Sequence, residues 1–409
     1  MKATFSTKTM NLPIYLDNNS TTPVDQRVLD AMLPYFNNKF GNAASRNHSF
    51  GWVAEEAVDK ARRQVANLIA ADPTEIIFTS GATEAINLAI KGVFESYRTK
   101  GNHIITCVTE HKAVLDSCRY LERMGGNITY LPVDDAGLIN LKELKNAITP
   151  STILIAIMFA NNETGVIQPI REIAQIAADN SILFFSDATQ AIGKIPVNVM
   201  EDGIHLLALS AHKIYGPKGV GALYVRRRNP RVIVSAQIHG GGHERGMRSG
   251  TLNVPGIVGL GEAAEICAAS GPVELSRMLE LRNKLESALQ KINGCYINGG
   301  KSPRLPNVLN LSFEHVDGQA LMMSMKGIAV SSGSACTSAS LEPSYVLKAL
   351  GLSDELAHSA IRVAVGRFNT DKEIDYTIEQ VTMAVEHLRS ISPAWMMANE
   401  GIKLSNNKS

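Results

Sequence analysis

Two short apolar runs end in groups able to work together. Ile182–Phe185 leads into Ser-Asp-Ala-Thr-Gln, and Leu206–Leu209 leads into Ser-Ala-His-Lys. Short apolar runs bounded by polar residues have the pattern of strands buried in a parallel sheet. Ligands in open α/β sheets bind at the carboxyl ends of the strands, which makes Asp187 and Lys213 candidates to share one crevice. An amine beside a carboxylate suits pyridoxal 5'-phosphate (PLP). That cofactor needs a lysine for its Schiff base and an acid to keep its ring nitrogen protonated. The pair is equally compatible with a surface acid and a surface lysine on ordinary strand ends.

The surrounding chain must position such a pair. Its pattern predicts strands over 75–79, 103–108, 128–133, 152–160 and 221–225, alternating with helices over 51–70, 112–123, 141–147 and 171–180. The first of these helices carries Val53, Ala57, Val58, Ala61, Val65 and Leu68 at amphipathic spacing, with Glu55, Glu56, Asp59, Arg62 and Arg63 opposite, a core-packing pattern. The alternation implies an α/β fold with a largely parallel sheet covered by helices. Three further strand ends carry polar groups, Ser80–Thr83, Thr109–His111 and Asn161–Glu163, and one crevice is expected to collect them. Ser80-Gly81-Ala82-Thr83 turns into a helix beginning near Glu84; it is either a bare helix N-terminus for a phosphate or a plain Ser-capped helix. A lone histidine is usually structural, but His111 follows a strand end in the same crevice and is an acid–base candidate. The segment HGGGHERGMRSGT, 239–251, is either a surface turn or an anion-binding loop with the Thr251 hydroxyl at its end.

Two helical patterns, 256–269 and 273–292, lead into a region of different character. There 308–313 and 327–331 read as strands and 318–325, 343–349 and 371–389 as helices, a smaller α+β domain. Between its elements lies SSGSACTSAS, 331–340, which is either a polar linker with an incidental cysteine or a mobile arm carrying an exposed thiol. The tail after Pro393 is expected to be weakly ordered, and no internal repeat is evident.

Composition narrows the class. The chain has 409 residues, enough for two or three domains, with 45% hydrophobic and 19% charged residues and a net charge of +1. That balance does not suggest a nucleic-acid or membrane surface as the main partner. Five scattered cysteines without CxxC spacing indicate neither a disulfide framework nor a zinc site. A reducing compartment fits, and with no secretory signal, transmembrane run or Arg-rich leader the expected location is a bacterial cytoplasm.

Taken in order, FTSGATEAINLAIKG, TEHKAVLDSC, NNETGVIQPI, DATQAIGK, SAHKIYGPKG, GGGHERGMRSGT and SSGSACTSASLEPSYVL resemble the cysteine desulfurases of the IscS/NifS type. These are fold-type-I PLP enzymes of the class V aminotransferase family, and the likeness runs from about Leu12 to about Trp395. The resemblance implies a large PLP-binding domain, 20–265, with a mainly parallel seven-stranded sheet between helices. It also implies a small α+β domain formed by 1–19 and 266–409, carrying the mobile Cys loop 331–340 of the long-loop group. Implied roles are Lys213 for the Schiff base, Asp187 for the ring nitrogen, Gln190 for the ring hydroxyl and His111 stacked on the ring. Ala82, Thr83, Ser210 and His212 would hold the phosphate, with Thr251 arriving from a second subunit of a homodimer. Asn162, also against the cofactor, and Arg362 would bind the substrate carboxylate, and Cys336 would be the nucleophile.

The activity implied is removal of sulfur from L-cysteine, giving alanine and a persulfide on Cys336. Released Lys213 would move the proton, and the sulfur would pass to an iron–sulfur scaffold protein and other acceptors, including those of tRNA thiolation. No resident metal is implied, only a transient iron–sulfur cluster ligand in Cys336. A selenocysteine lyase or another class V aminotransferase-type enzyme would share Lys213 and Asp187 without needing the thiol. A catalytically dead scaffold is a third reading. The ending SPAWMMANEGIKLSNNKS departs from the usual tail, which contacts the scaffold protein.

Overall fold

Seven strands form one sheet in the order Ile76–Thr79, Gly221–Val225, Leu206–Ser210, Leu183–Asp187, Thr152–Ala156, His103–Cys107 and Asn127–Leu131. The computed structural model describes residues 12–332 and 342–399. Only Gly221–Val225 runs antiparallel to its neighbours; the other pairings are parallel. The carboxyl ends of the remaining strands therefore open on one edge, where Thr79 pairs with Gly221 and Ser210 pairs with the same glycine.

Successive strand residues face opposite sides, and both sides are apolar. Ile76, Phe78, Ile105, Leu207 and Leu209 pack into one core with Val58, Val65, Ile173 and Leu260. Ile77, Ile104, Leu206 and Ala208 pack into a second core with Ile86, Val93, Val114 and Leu121. A sheet buried on both faces needs continuous apolar runs, which is why the strands were readable as runs rather than as alternations.

The two helical patterns expected over 256–269 and 273–292 are one helix, Val254–Leu289, with Pro272 inside it. Proline removes one helical hydrogen bond, to the carbonyl four residues earlier. Here Ala268 and Pro272 are both exposed, so the unmatched carbonyl faces water and the helix continues. Its first half joins the first sheet core through Ile257, Leu260 and Ala263. Its last turns carry Leu281, Leu285 and Leu289 into a separate core with Leu309, Phe313, Ile374 and Val381. The helix crosses the helix Ser49–Leu68 closely: a Cβ on Gly261 would lie 2.6 Å from the Cα of Ala61.

A second, antiparallel sheet has the order Ser331–Ser332, Ile361–Ala364, Val308–Phe313 and Cys295–Ile297. The single strand expected over 327–331 is two short ones. Ile328–Ala329 pairs in parallel with Ile14–Tyr15, and Ser331–Ser332 pairs with Arg362 and Ile361. The start of the tail differs from expectation, while 400–409 lie outside the described residues. Pro393–Asn399 is helical, and Trp395 lies under the Arg389 guanidinium at 4.2 Å and beside His315. Cation–π stacking on the buried Arg389 anchors this helix, a contact that the segment's own sequence did not reveal. Among the described residues no helix is long and apolar enough to cross a membrane.

Candidate active site

A cavity of about 450 Å³ opens at the carboxyl ends of the seven-stranded sheet. Ala82, Thr83, His111, Asn162, Asp187, Gln190, Ser210, His212, Lys213 and Arg362 all line it. Parallel strands deliver the first nine; Arg362, from the antiparallel sheet, closes the far side.

One end of the cavity is built for an anion. The helix Ala82–Tyr97 starts two residues earlier than expected, after Gly81, and no side chain caps it among the described residues. The Ser-capped alternative fails: Gly81 is the N-cap residue, and Ser80 turns to Glu84 instead, its amide donating to Oε2 at 2.9 Å and its side chain bonding the same carboxylate. The first amides of the helix therefore keep their N–H groups for a ligand. Gly81 has φ +152°, and a Cβ on Gly221 would lie 2.8 Å from Gly81 Cα, so both positions need glycine for this turn to form. Ser210 stands beside the turn. His212 bonds Thr21 Oγ1 through Nδ1 at 3.1 Å, and burial followed by the charge of Lys213 lowers its pKa to about 4. The imidazole is thus neutral at ordinary pH and contributes hydrogen bonding rather than charge.

At the other end lie the amine and the carboxylate. Lys213 Nζ donates to the carbonyls of Asn19 at 2.7 Å and Ser20 at 2.6 Å. Asp187 Oδ1 accepts from the Thr189 amide at 3.0 Å and from its hydroxyl at 2.5 Å, leaving Oδ2 as the oxygen available to a ring nitrogen. His111 caps the helix Lys112–Arg123, its Nδ1 accepting from the Ala113 amide at 3.1 Å. In the neutral ring that bond puts the proton on Nε2. Gln190 Nε2 donates to the Asn19 carbonyl at 2.9 Å.

The Arg362 side chain is 2% exposed, and its Nη2 pairs with Asp17 Oδ1 at 2.7 Å. Nη1 donates to the Asn162 carbonyl at 3.1 Å, and Nη2 also reaches Ser331 Oγ at 3.3 Å. Asn162 Oδ1 and Arg362 Nε are buried without a hydrogen-bond partner among the described residues. Buried polar atoms left unpaired are costly, so this corner is poised for a polar ligand group.

The crevice does not collect every strand-end group. Thr109, Glu110, Asn161 and Glu163 are buried beneath its floor, because neighbouring residues at a strand end point opposite ways. Asn161 Oδ1 accepts from the amides of Glu163 and Thr164 and shapes the turn. Glu163, its carboxyl raised to about 7 by burial, accepts from Ser344 Oγ at 2.5 Å. Tyr345 donates to the Glu110 carbonyl at 2.7 Å. Cys336 lies outside the described residues. Its flanks do not: Ser331 touches Arg362 and Ser344 touches Glu163, next to Asn162. Cys336 is five positions after Ser331 in the sequence, an extended reach of about 18 Å at most.

Thr251 is exposed and does not line this cavity. Its loop is no loose turn, for the buried Glu244 pairs with Arg62 at 2.7 Å and accepts from the Phe78 amide at 2.7 Å. A larger cavity of about 620 Å³, among whose lining residues are Arg171, Glu201 and Asp202, holds none of the expected site residues, and its Arg171 already pairs with Asp202 at 2.9 Å. Sequence reading passed over Asp17, Asn19, Thr189 and Lys194. The signal was present in DNNSTT directly after the Ile14–Tyr15 strand and in the lysine that ends DATQAIGK.

The family model Aminotransferase class-V matches residues 14–377. A cysteine desulfurase IscS of Actinobacillus succinogenes is 59% identical over 398 residues, covering 97% of this chain and 98% of its own. One from Histophilus somni is 58% identical over the same shares. The chain belongs to the cysteine desulfurases. Among solved structures, a NifS-like protein superposes with a TM-score of 0.85 at 39% identity, covering 92% of this chain and all of its own. SspA in complex with cysteine gives a TM-score of 0.78 at 38% identity, covering 87% of this chain and all of its own. Cysteine desulfurases are PLP-dependent, and the donor set fits that group: bare amides, a hydroxyl and a neutral imidazole at one end, a carboxylate at the other, and an amine in the same space.

Proposed function

We propose that this cysteine desulfurase works as a cytoplasmic homodimer, using PLP to move the sulfur of L-cysteine onto Cys336 and releasing L-alanine. The observation that carries this reading is the single cavity shared by Lys213, Asp187 and Arg362.

Lys213 would hold the cofactor covalently, Asp187 Oδ2 would pair with its ring nitrogen, and Gln190 would bond its ring hydroxyl. His111 would stack on the ring. The amides at Ala82 and Thr83, with Ser210 and His212, would hold the phosphate, joined by Thr251 from the second subunit. When bound, PLP supplies an electron sink for breaking the substrate Cα–H bond.

The rest of the chemistry belongs to the protein. Arg362 and Asn162 bind the substrate carboxylate through N–H donors, Arg362 with the Nε that has no partner among the described residues and Asn162 with its side-chain NH2. That grip places the substrate Cα near Lys213 Nζ, which takes the Cα proton and returns it later. The Nε2–H of His111 is the second proton donor in the cavity. The Cys336 thiolate then attacks the substrate sulfur. A sulfur–sulfur bond forms as the Cβ–S bond breaks, and the electron pair stays with the carbon skeleton, which becomes alanine on protonation. The persulfide is handed to an iron–sulfur scaffold protein and to other acceptors such as those serving tRNA thiolation.

Mass spectrometry after brief exposure to L-cysteine tests the reading. The peptide containing Cys336 is expected to gain one sulfur in the wild type and none in Lys213→Ala. Sulfide release that survives Cys336→Ala would favour a selenocysteine lyase-type enzyme instead.

A further inference from the structure

Behind the cavity wall that carries Gln190 lies a lysine for which the proposed chemistry has no use. Lys194 is 6% exposed. Its amine donates to two amide oxygens, Gln190 Oε1 at 2.6 Å and Asn19 Oδ1 at 3.0 Å. Burial, then the cationic Lys213 and Arg362, push its pKa well below the ordinary lysine value. An amine in such a place is costly to keep, and a methionine of similar length would fill the same volume without that cost.

The two amides show what the amine does. A backbone carbonyl only accepts, so the bond from Gln190 Nε2 to the Asn19 carbonyl fixes which end of that amide is nitrogen. The bond from Asn19 Nδ2 to the Asn162 carbonyl at 3.2 Å does the same for Asn19. Both amide oxygens must then face inward, where water is excluded and a donor is needed. Asn307 Nδ2 supplies one N–H to Asn19 Oδ1 at 3.1 Å; Lys194 supplies the other and the only one given to Gln190 Oε1 among the described residues. The residue thus held, Asn19, also offers its carbonyl to Lys213 Nζ.

We propose that Lys194 is a positioning residue: by holding the oxygens of Gln190 and Asn19 from behind, it makes Gln190 present an N–H to the ring hydroxyl of PLP and keeps the Asn19 carbonyl on the Lys213 amine. This rests on the reading of the cavity as a PLP site. Lys194 touches neither cofactor nor substrate and acts only through the two amides.

The test titrates the apoprotein with PLP, following its visible absorbance, in wild type, Lys194→Met, Gln190→Leu and the double variant. Lys194→Met is expected to raise the PLP dissociation constant about tenfold, the worth of one well-placed hydrogen bond. The midpoint of the visible band's pH transition should move upward, because the ring oxygen loses an N–H that favours its anionic form. The double variant should be no weaker than the weaker single, since both changes remove the same donor. Should Lys194→Met not fold, Lys194→Gln carries the same comparison against Gln190→Leu. Losses that add in the double variant, or PLP affinity and band unchanged in Lys194→Met, overturn the inference. A wild-type apoprotein that takes up no PLP overturns the underlying reading, and the wild-type titration alone separates that failure from the other.

Discussion

Asp17 Oδ1 stands 2.7 Å from Arg362 Nη2 and holds the guanidinium in place at the cavity wall. The arginine comes from the antiparallel sheet and the aspartate from the segment leading out of Ile14–Tyr15, so two distant parts of the chain make one carboxylate-binding group. Arg362 is too buried to find its geometry unaided, and truncating Asp17 outright would leave it without its charge partner. Asp17→Asn keeps an acceptor but removes the charge. We expect the KM for L-cysteine to rise about tenfold, a loss of ~1.4 kcal/mol, with kcat changed far less. Steady-state alanine formation checks this split; an unchanged KM would mean that Arg362 does not hold the substrate.

Glu163 ties the segment after Cys336 to the cavity floor through Ser344, and it does so with a carboxyl held near neutrality. Its pKa is raised from 4.5 to about 7, chiefly by burial. The folded state therefore keeps this proton more tightly than the unfolded chain does. Stability linked to Glu163 is fully present below pH 4.5, falls as pH rises towards 7, and is level above that. The span corresponds to ~3 kcal/mol. Glu163→Gln removes the slope, so its unfolding free energy relative to wild type should improve between pH 5 and pH 8. Denaturant unfolding at the two pH values measures it, and a difference that does not vary with pH would show Glu163 ionised throughout.

Much of this architecture was legible because buried parallel strands are short and continuously apolar. The runs ending at Asp187 and Lys213 declared both the strand and the group it delivers, and the helices Lys112–Arg123 and Leu141–Ala147 fell where their periodicity put them. What escaped was of two kinds. Pro272 reads as a break, yet tertiary packing on both sides carries the Val254–Leu289 helix through it. Asn19 and Asp17, and Lys194 in its bond to Asn19, serve through hydrogen bonds across more than a hundred residues of sequence, and no local pattern encodes such a partner. The motif strings marked the neighbourhoods, but only the folded chain shows which side chain holds which.

Asp187 offers a sharper test of the site. Its Oδ1 is committed to Thr189, so the remaining oxygen must carry the charge that would keep the ring nitrogen protonated. Asp187→Asn preserves the bond to Thr189 and abolishes that charge. We expect kcat to fall about a hundredfold or more, in line with the loss of a preorganised electrostatic group. Bound PLP absorbance should persist, since Lys213 and the phosphate end are untouched. Retained kcat in a variant that still binds PLP would remove Asp187 from the chemistry.

The phosphate end depends on one close approach. Gly221 opens the only antiparallel strand of the seven-stranded sheet, and a Cβ there would lie 2.5 Å from the Leu209 carbonyl oxygen and 2.8 Å from Gly81 Cα. Neither neighbour is a flexible side-chain end, so the backbone must move. Gly221→Ala should therefore cost ~1–3 kcal/mol of stability, as overpacking does. The displacement falls on the turn that presents the bare amides of Ala82 and Thr83. PLP should bind more weakly by a larger factor than pyridoxal, which has no phosphate to place. Parallel titrations of the apoprotein with the two ligands read that ratio. An equal loss for both would mean that this turn does not hold the phosphate.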